Sequence, residues 1–328
     1  MMNANGRSDR TRTIRVAAVQ MISENCCITD NLAHATTWIE KASKDGAELV
    51  LLPEFMPTGY LLSEGIWEAA EPKEGLTVTW LKDNSRRLGI WLGTSFLEAE
   101  GVDFFNTFVL TNPHGDISGR IRKRSPALWE AYFFRGESGS NAIDTALGKV
   151  GVGICFDNQK ADVAATMSRQ SVDLVLMPHS YPVPAESSGL FGKERMVRTL
   201  QMIPPLYASL LGVPVVLANK CGPWESPIPG PPFGKMQDRY FPGLSSIVDS
   251  DGSVKTCLED GEGVIVADVI MDPTRKRQAI PPHYGRYIIP GPPQRIVVRL
   301  IESMGRIRYG LSSTRRSQAR SVSQLAIR

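Results

Sequence analysis

Three residues far apart in the chain, Glu54, Lys123 and Cys155, carry the groups that a covalent hydrolysis needs. Cys155 closes "VGVGIC", a short apolar run that reads as a buried strand. Phe156, Asp157 and Asn158 then break the pattern ahead of a helix-compatible segment, 161–167. A nucleophile at a strand-to-helix turn stands clear of the sheet, where the next backbone N–H can help hold an oxyanion. Glycines at 151 and 153 suit a place of close approach. Glu54 follows the buried strand 49–52, which Pro53 ends, so it lies just past a strand end, where α/β sheets hold ligands. Lys123 follows an edge-like segment, 116–122. Taken singly, such a cysteine is usually a small buried hydrophobe, and a Glu or Lys a surface charge. Together they offer a thiol, a base to take its proton and an ammonium to steady the resulting negative charge.

In this chain order the three residues resemble the Glu…Lys…Cys triad of the nitrilase superfamily of carbon–nitrogen hydrolases. The likeness runs from "IRVAAVQM" (14–21) through "LVLLPEFMPTGY" (49–60), "RIRKRSPALWEAYFFRG" (120–136) and "VGVGICFDNQ" (150–159). It continues in "VPVVLANKCG" (213–222), "FPGLSSIVDSDGSV" (241–254) and "GVIVADVIMD" (263–272). The resemblance implies that Cys155 attacks a carbon bonded to nitrogen, that Glu54 moves the proton and that Lys123 stabilises thiolate and oxyanion. Glu130, seven residues after Lys123 in a short helix opened by Pro126, falls at the family's supporting glutamate. Tyr60, Phe156, His179 and Tyr181 are expected to support the triad or to line the substrate pocket. No cofactor or metal is implied.

The expected substrate is a small amide or N-carbamoyl compound, hydrolysed through a thioester, with a nitrile as the alternative. Family nitrilases usually follow the cysteine with Trp-Glu, whereas Phe156-Asp157 stands here. Gln159 occupies a place where Arg is common and no Pro-Glu follows, which leaves the triad intact and the subfamily open. The rival machinery is a Cys–His pair with His179, just past a strand end at Pro178, as base; no third group is evident to orient it. From another class, the chain reads as an inactive family fold serving as a binding or assembly module.

To bring the three residues together, strands and helices must alternate. Strand 16–21, a helix capped by Asp30 with apolar face Leu32, Ala35, Trp38 or Ile39, and Ala42, a stop at Gly46 and strand 49–52 make a right-handed crossover and a parallel pair. Helix 76–88, strand 90–96 and a hairpin of 104–110 with 117–122 follow; His114 lies in the hairpin turn and reads as solvated. A strand ends at Pro178, residues 186–211 read as helical but kinked or divided by Pro204 and Pro205, and strand 213–218 comes next. Residues 223–235 read as a loop, Cys221 as structural, and 245–249 and 264–269 as late strands. This pattern predicts an α/β fold with two helix-covered sheets, and the resemblance implies a four-layer α-β-β-α sandwich.

The expected organisation is a disordered leader (1–13), a hydrolase domain (14–290) and a basic C-terminal helix and tail (291–328). Beyond Pro290, apolar residues at 297, 300, 301, 304 and 307 predict an amphipathic helix whose face calls for a second subunit. A homodimer or larger homo-oligomer is implied by resemblance. The last dozen residues are expected to be disordered. From Pro273 onward twelve basic residues face Glu302 alone, so the first 272 residues carry −8 although the whole chain is +3. No aromatic-rich RNA module accompanies this tail, so it reads as solvated or subunit-docking and not as nucleic-acid-binding. Five cysteines, an odd number without regular spacing, speak against a disulfide framework and for a reducing compartment. No apolar run approaches the roughly 18 residues of a bilayer span. The expected location is therefore the cytoplasm.

Overall fold

In a computed structural model, residues 11–185, 192–229, 238–278, 281–290 and 295–325 are described. The first sheet contains β1 (Arg12–Gln20), β2 (Leu49–Leu51), β3 (Glu71–Pro72), β4 (Trp91–Glu100), β5 (Asp103–Thr111) and β6 (Ile117–Arg122). The second contains β7 (Ala142–Thr145), β8 (Gly148–Val152), β9 (Leu174–Pro178), β11 (Val215–Ala218), β14 (Ser246–Val248) and β15 (Val254–Cys257). A third, small sheet joins β10 (Val183–Pro184), β12 (Cys221–Pro223) and β13 (Arg239–Pro242). The chain then returns to the first sheet as β16 (Gly263–Met271), antiparallel to β1 along its whole length. The spatial orders are β16-β1-β2-β4-β5-β6 and β15-β14-β11-β9-β8-β7.

Period-two alternation explains the layering. On β1, Val16 and Ala18 face the second sheet, where they meet Val152, Leu176 and Val216. Ala17 and Val19, one residue out of phase, pack with Leu32, Ala35 and Ile39 of α1 (Ile28–Lys44) and Val78 and Leu81 of α2 (Leu76–Leu88). The second sheet is covered in the same way by α3 (Ala161–Gln170) and α4 (Lys193–Leu211). The result is the expected four-layer α-β-β-α sandwich. Among the described residues, no helix is long and apolar enough to cross a membrane.

Several details depart from expectation. Asp30 does not cap α1; the helix starts at Ile28 after Cys27, and Asp30 sits in its first turn, where a negative charge favours the exposed N–H groups. Pro204 and Pro205 do not divide α4, which continues as one helix to Leu211. Burial of Leu200, Ile203, Tyr207 and Leu211 against the sheet offsets the two missing N–H donors. Part of the expected loop 223–235 instead begins with the end of β12, paired to β13. Within the expected leader, Arg12 and Thr13 already belong to β1, and residues 1–10 lie outside the described residues.

The C-terminal region differs most. α5 (Arg295–Leu311) packs on the 3-10 turn Leu128–Tyr132 of its own chain, where a side chain at Gly305 would overlap Tyr132 and Ala131. The expected disordered tail is largely helix: α6 (Ser313–Gln324) is capped by Ser312. Arg315 is buried, bonding the Asp103 carboxylate and the Val102 carbonyl, with its guanidinium over Tyr309. An internal ion pair, not solvent, therefore takes up one of the tail's charges.

Candidate active site

The groups of interest gather where the strands of both sheets end. β1, β2 and β4 are parallel, and β6 runs in the same direction after two antiparallel steps; β8, β9 and β11 are likewise parallel. Glu54 follows β2, Lys123 follows β6, Cys155 follows β8, and His179, Ser180 and Lys220 follow β9 and β11. The first sheet therefore supplies Glu54 and Lys123, and the second supplies Cys155.

Strand alternation aims Lys123. Its neighbour Arg122 turns outward to Glu98, Glu100 and Glu137 at 2.8–3.0 Å, while Lys123 points into the protein and is fully buried. The Lys123 ammonium lies 2.7 Å from Glu54 Oε1 and 2.7 Å from Glu130 Oε2. Burial alone would push this ammonium down; Glu130 and Glu54 outweigh it and hold it above the ordinary lysine value.

Each carboxylate is tied further. Glu54 Oε1 also accepts from Asn106 Nδ2 (2.8 Å), and Oε2 accepts from the Ser180 N–H (2.8 Å). The Ser180 hydroxyl donates to the Glu54 carbonyl at 2.7 Å, so both sheets grip this residue. Glu130 Oε1 accepts from the Tyr60 hydroxyl at 2.6 Å, and Oε2 from the Ala127 N–H at 2.5 Å. Burial pushes the Glu130 carboxyl up, against the pull of Lys123.

Cys155 opens a 3-10 turn, Cys155–Gln159, with φ of 49°. This left-handed conformation is rare outside glycine and recurs at functional turns. The thiol is buried, with Sγ 4.0 Å from the Ser180 carbonyl oxygen. Burial, followed by the Glu54 charge, raises its pKa well above the ordinary thiol value, and Lys123 only partly opposes them. Burial thus favours the protonated thiol at Cys155, with Lys123 pulling the other way. Asp157 staples the turn across the seam: its carboxylate accepts from the Arg124 and Ser125 N–H groups, each at 2.9 Å. Burial pushes Asp157 up to about 7, although Lys123 opposes the shift.

His179 is brought close but arranged for another task. Asn158 Nδ2 donates to the Gly153 carbonyl at 2.7 Å, which fixes the amide's orientation; its second N–H then points at His179 Nε2, 2.9 Å away. Nε2 therefore accepts, and the ring's proton sits on Nδ1. Burial, aided by Lys123, lowers the imidazole to about 3. No hydrogen bond joins it to Cys155 among the described residues, so the geometry gives no support to the Cys–His reading.

A cavity of about 140 Å³ opens onto Cys155. Phe156, Tyr60 and Tyr181 line it, as does Gln159, and the Tyr181 hydroxyl and Gln159 side chain share a hydrogen bond. Val298 of α5 completes part of the wall. Sequence reasoning passed over Asn106, Ser180, Asp157 and Lys220. Lys220 is fully buried, donates to the Phe55 carbonyl at 2.9 Å and is lowered to about 7 by burial, with Glu54 opposing. The available signal was "ANKCG", a lysine directly after the apolar run 213–218 and Asn219. Cys221 is buried in β12, consistent with a structural residue.

The sequence profile described as carbon-nitrogen hydrolase matches residues 15–278. The chain is 35% identical over 175 residues to a nitrilase of Pyrococcus abyssi, a stretch covering 52% of this chain and 66% of that protein. It is 24% identical over 281 residues to the N-carbamoylputrescine amidase of Solanum lycopersicum, covering 83% and 91%. Among solved structures, a carbon-nitrogen hydrolase from Helicobacter pylori superposes with a TM-score of 0.68 at 20% identity, over 79% of this chain and 89% of that one. Saccharomyces cerevisiae Nit3, of the nitrilase superfamily, gives 0.65 at 24% identity, over 80% and 92%. These two likenesses establish the fold.

Proposed function

Because the chain belongs to the carbon–nitrogen hydrolase family, we propose that it is a cysteine-dependent amidase, with Glu54, Lys123 and Cys155 as its catalytic residues. One observation carries this reading: a buried ammonium lies 2.7 Å from a carboxylate on either side, within electrostatic reach of Cys155, the one thiol among the described residues that line the cavity. Burying such a cluster costs folding energy, and replacement by apolar residues is often neutral or stabilising. Its retention beside a thiol fits a chemical task.

In the proposed reaction, Cys155 Sγ attacks the carbonyl carbon as its proton passes to Glu54. The proton moves with the attack, because burial favours the protonated thiol. The ammonium of Lys123 steadies the oxyanion of the tetrahedral intermediate. Glu54 returns the proton to the departing nitrogen, the C–N bond breaks, and a thioester remains. Glu54 then takes a proton from water as its oxygen attacks the thioester. Collapse releases the carboxylic acid and restores the thiol. Glu130, chelated to Lys123 and fixed by Tyr60, is a positioning residue. Tyr181 and Phe156 shape the pocket for a small amide or N-carbamoyl compound.

The likeness to the Pyrococcus abyssi nitrilase favours a second reading, a nitrile substrate. There the same sulfur would add to the nitrile carbon to give a thioimidate, which water converts to acid and ammonia. Ammonia release from a panel of amides, carbamoyl compounds and nitriles, with Cys155→Ala as control, separates the two. Turnover by wild type alone supports the hydrolase, and the substrate names the subclass. Silence across the panel, with Cys155 no more reactive to iodoacetamide than Cys257, would favour a binding role.

The domain organisation and assembly are part of the same proposal: a hydrolase domain to residue 290, then a C-terminal segment that docks on it and contacts a second copy. Ile296, Leu300, Met304 and Ile307 form an exposed apolar stripe on α5, with Leu300 57% exposed and Ile307 64%. Stripes of this kind mark interaction surfaces. Sedimentation of wild type against Leu300→Glu tests it; an unchanged mass would remove α5 from the interface. A cytoplasmic location remains the proposal made from cysteine usage.

A further inference from the structure

The cavity at Cys155 is unequal in charge. Two guanidiniums, Arg195 from the first turn of α4 and Arg239 from β13, contribute to its wall, and no Asp or Glu is among its described lining residues. The remaining lining is mainly aromatic and aliphatic, including Trp129, Trp224 and Tyr287. Such walls exclude water and strengthen the field of a nearby charge.

Both arginines are placed by structure. Arg239 pairs with Pro184 across the small third sheet, and its carbonyl accepts from the Trp224 N–H at 3.3 Å. Arg195 donates to the Pro290 carbonyl at 3.2 Å. Tyr181 lies within electrostatic reach of Cys155 and of both guanidiniums. Tyr60 lies within reach of Cys155 and of Arg239. Cys155, both arginines and the two tyrosines thus line one cavity. At about 140 Å³ it is smaller than the roughly 300–1,000 Å³ typical of drug-sized ligands.

We propose that Arg195 and Arg239 form an anion subsite, and that the preferred substrate is a short amide or N-carbamoyl compound with a carboxylate at the end remote from the scissile bond. Guanidinium forks bind carboxylates through paired, charge-assisted hydrogen bonds. An ammonium-tailed amide would instead bring like charge towards both guanidiniums. Gln159 is uncharged, so Arg195 and Arg239 supply the positive charge among the described lining residues. The inference rests on the hydrolase reading, because it assigns the reacting carbon to Cys155.

Binding and turnover distinguish the two readings. Titration calorimetry on Cys155→Ala compares succinamate, butyramide and 3-aminopropanamide, which share a short amide body and differ in their ends: carboxylate, methyl and ammonium. Succinamate is expected to bind at least tenfold more tightly than butyramide, with 3-aminopropanamide weakest. Adding Arg195→Gln and Arg239→Gln is expected to shrink the succinamate-to-butyramide ratio at least tenfold. If that variant fails to fold, Arg239→Lys, which keeps the charge and loses the fork, is expected to bind succinamate more weakly while still preferring it to 3-aminopropanamide. Equal affinities, or a preference for the ammonium compound, would overturn the proposal. Ammonia release by wild type is measured in parallel. Its absence from all three compounds would count against the hydrolase reading, while the binding order would still decide the subsite.

Discussion

The Asn158 side chain fills the space above Gly153: a Cβ on Gly153 would lie 1.9 Å from Asn158 Oδ1, and Asn158 Nδ2 donates to the Gly153 carbonyl at 2.7 Å. This pair forms the base of the turn that presents Cys155. Gly153→Ala must displace Asn158, and with it the bond to His179. Overpacking of this kind costs about 1–3 kcal/mol. The expected outcome is a lower melting temperature by thermal unfolding, together with loss of most ammonia release.

Replacing Glu54 by Gln keeps its shape and its acceptor towards Asn106 or Lys123 but removes the proton carrier. We predict a fall in kcat of about 10²–10⁴, the usual range for a general acid–base group, with secondary structure by circular dichroism unchanged. A variant that keeps wild-type kcat would remove Glu54 from the mechanism.

Tyr60→Phe deletes the 2.6 Å bond to Glu130 and leaves a buried carboxylate oxygen with one partner fewer. The expected loss of stability is about 1–3 kcal/mol. If Glu130 positions Lys123, kcat should fall with little change in KM. A change confined to KM would make Tyr60 a substrate contact instead.

Lys123→Met places Glu54 and Glu130 in a buried site with no cation between them. Breaking a buried pair in this way costs about 3–5 kcal/mol. The protein is expected to unfold at much lower urea concentration than wild type. Adding Glu130→Gln to the same chain should recover part of that loss, without activity.

His179 provides a pH signature. Its imidazole is lowered to about 3 in the folded protein, against an ordinary value near 6.5. Between these values the unfolded chain binds a proton that the native state refuses, so this contribution to stability is lost as pH falls from about 6.5 towards 3. In urea unfolding measured across that range, His179→Gln should show a shallower decline than wild type. Parallel curves would mean that the imidazole already binds its proton in the folded protein.

Much of this was legible because each principal residue ends a strand-like run. Pro53 marks the end before Glu54, the break after Ile154 marks Cys155, and the alternation of 117–122 delivers Lys123. The partners were hidden for a physical reason: Asn106, Ser180 and Asp157 act through single contacts from remote strands and loops, which leave no period in the sequence. α6 was missed differently. Arg315, Ala319 and Val322 do recur at helical spacing on its packed face, but an arginine paired with Asp103 heads the stripe, so its hydrophobic pattern reads as polar. The α4 prolines misled in the opposite sense, since local propensity argued for a break and burial on the second sheet overrode it.

The proposed triad spans the seam between two sheets, with Glu54 and Lys123 on one side and Cys155 on the other. A chain in which either sheet has formed alone has a thiol, but no neighbouring base to take its proton. It is therefore chemically silent towards amides, and catalytic competence becomes a report that the whole sandwich has closed. Heating should extinguish turnover as soon as the sheets begin to part, before helix content falls.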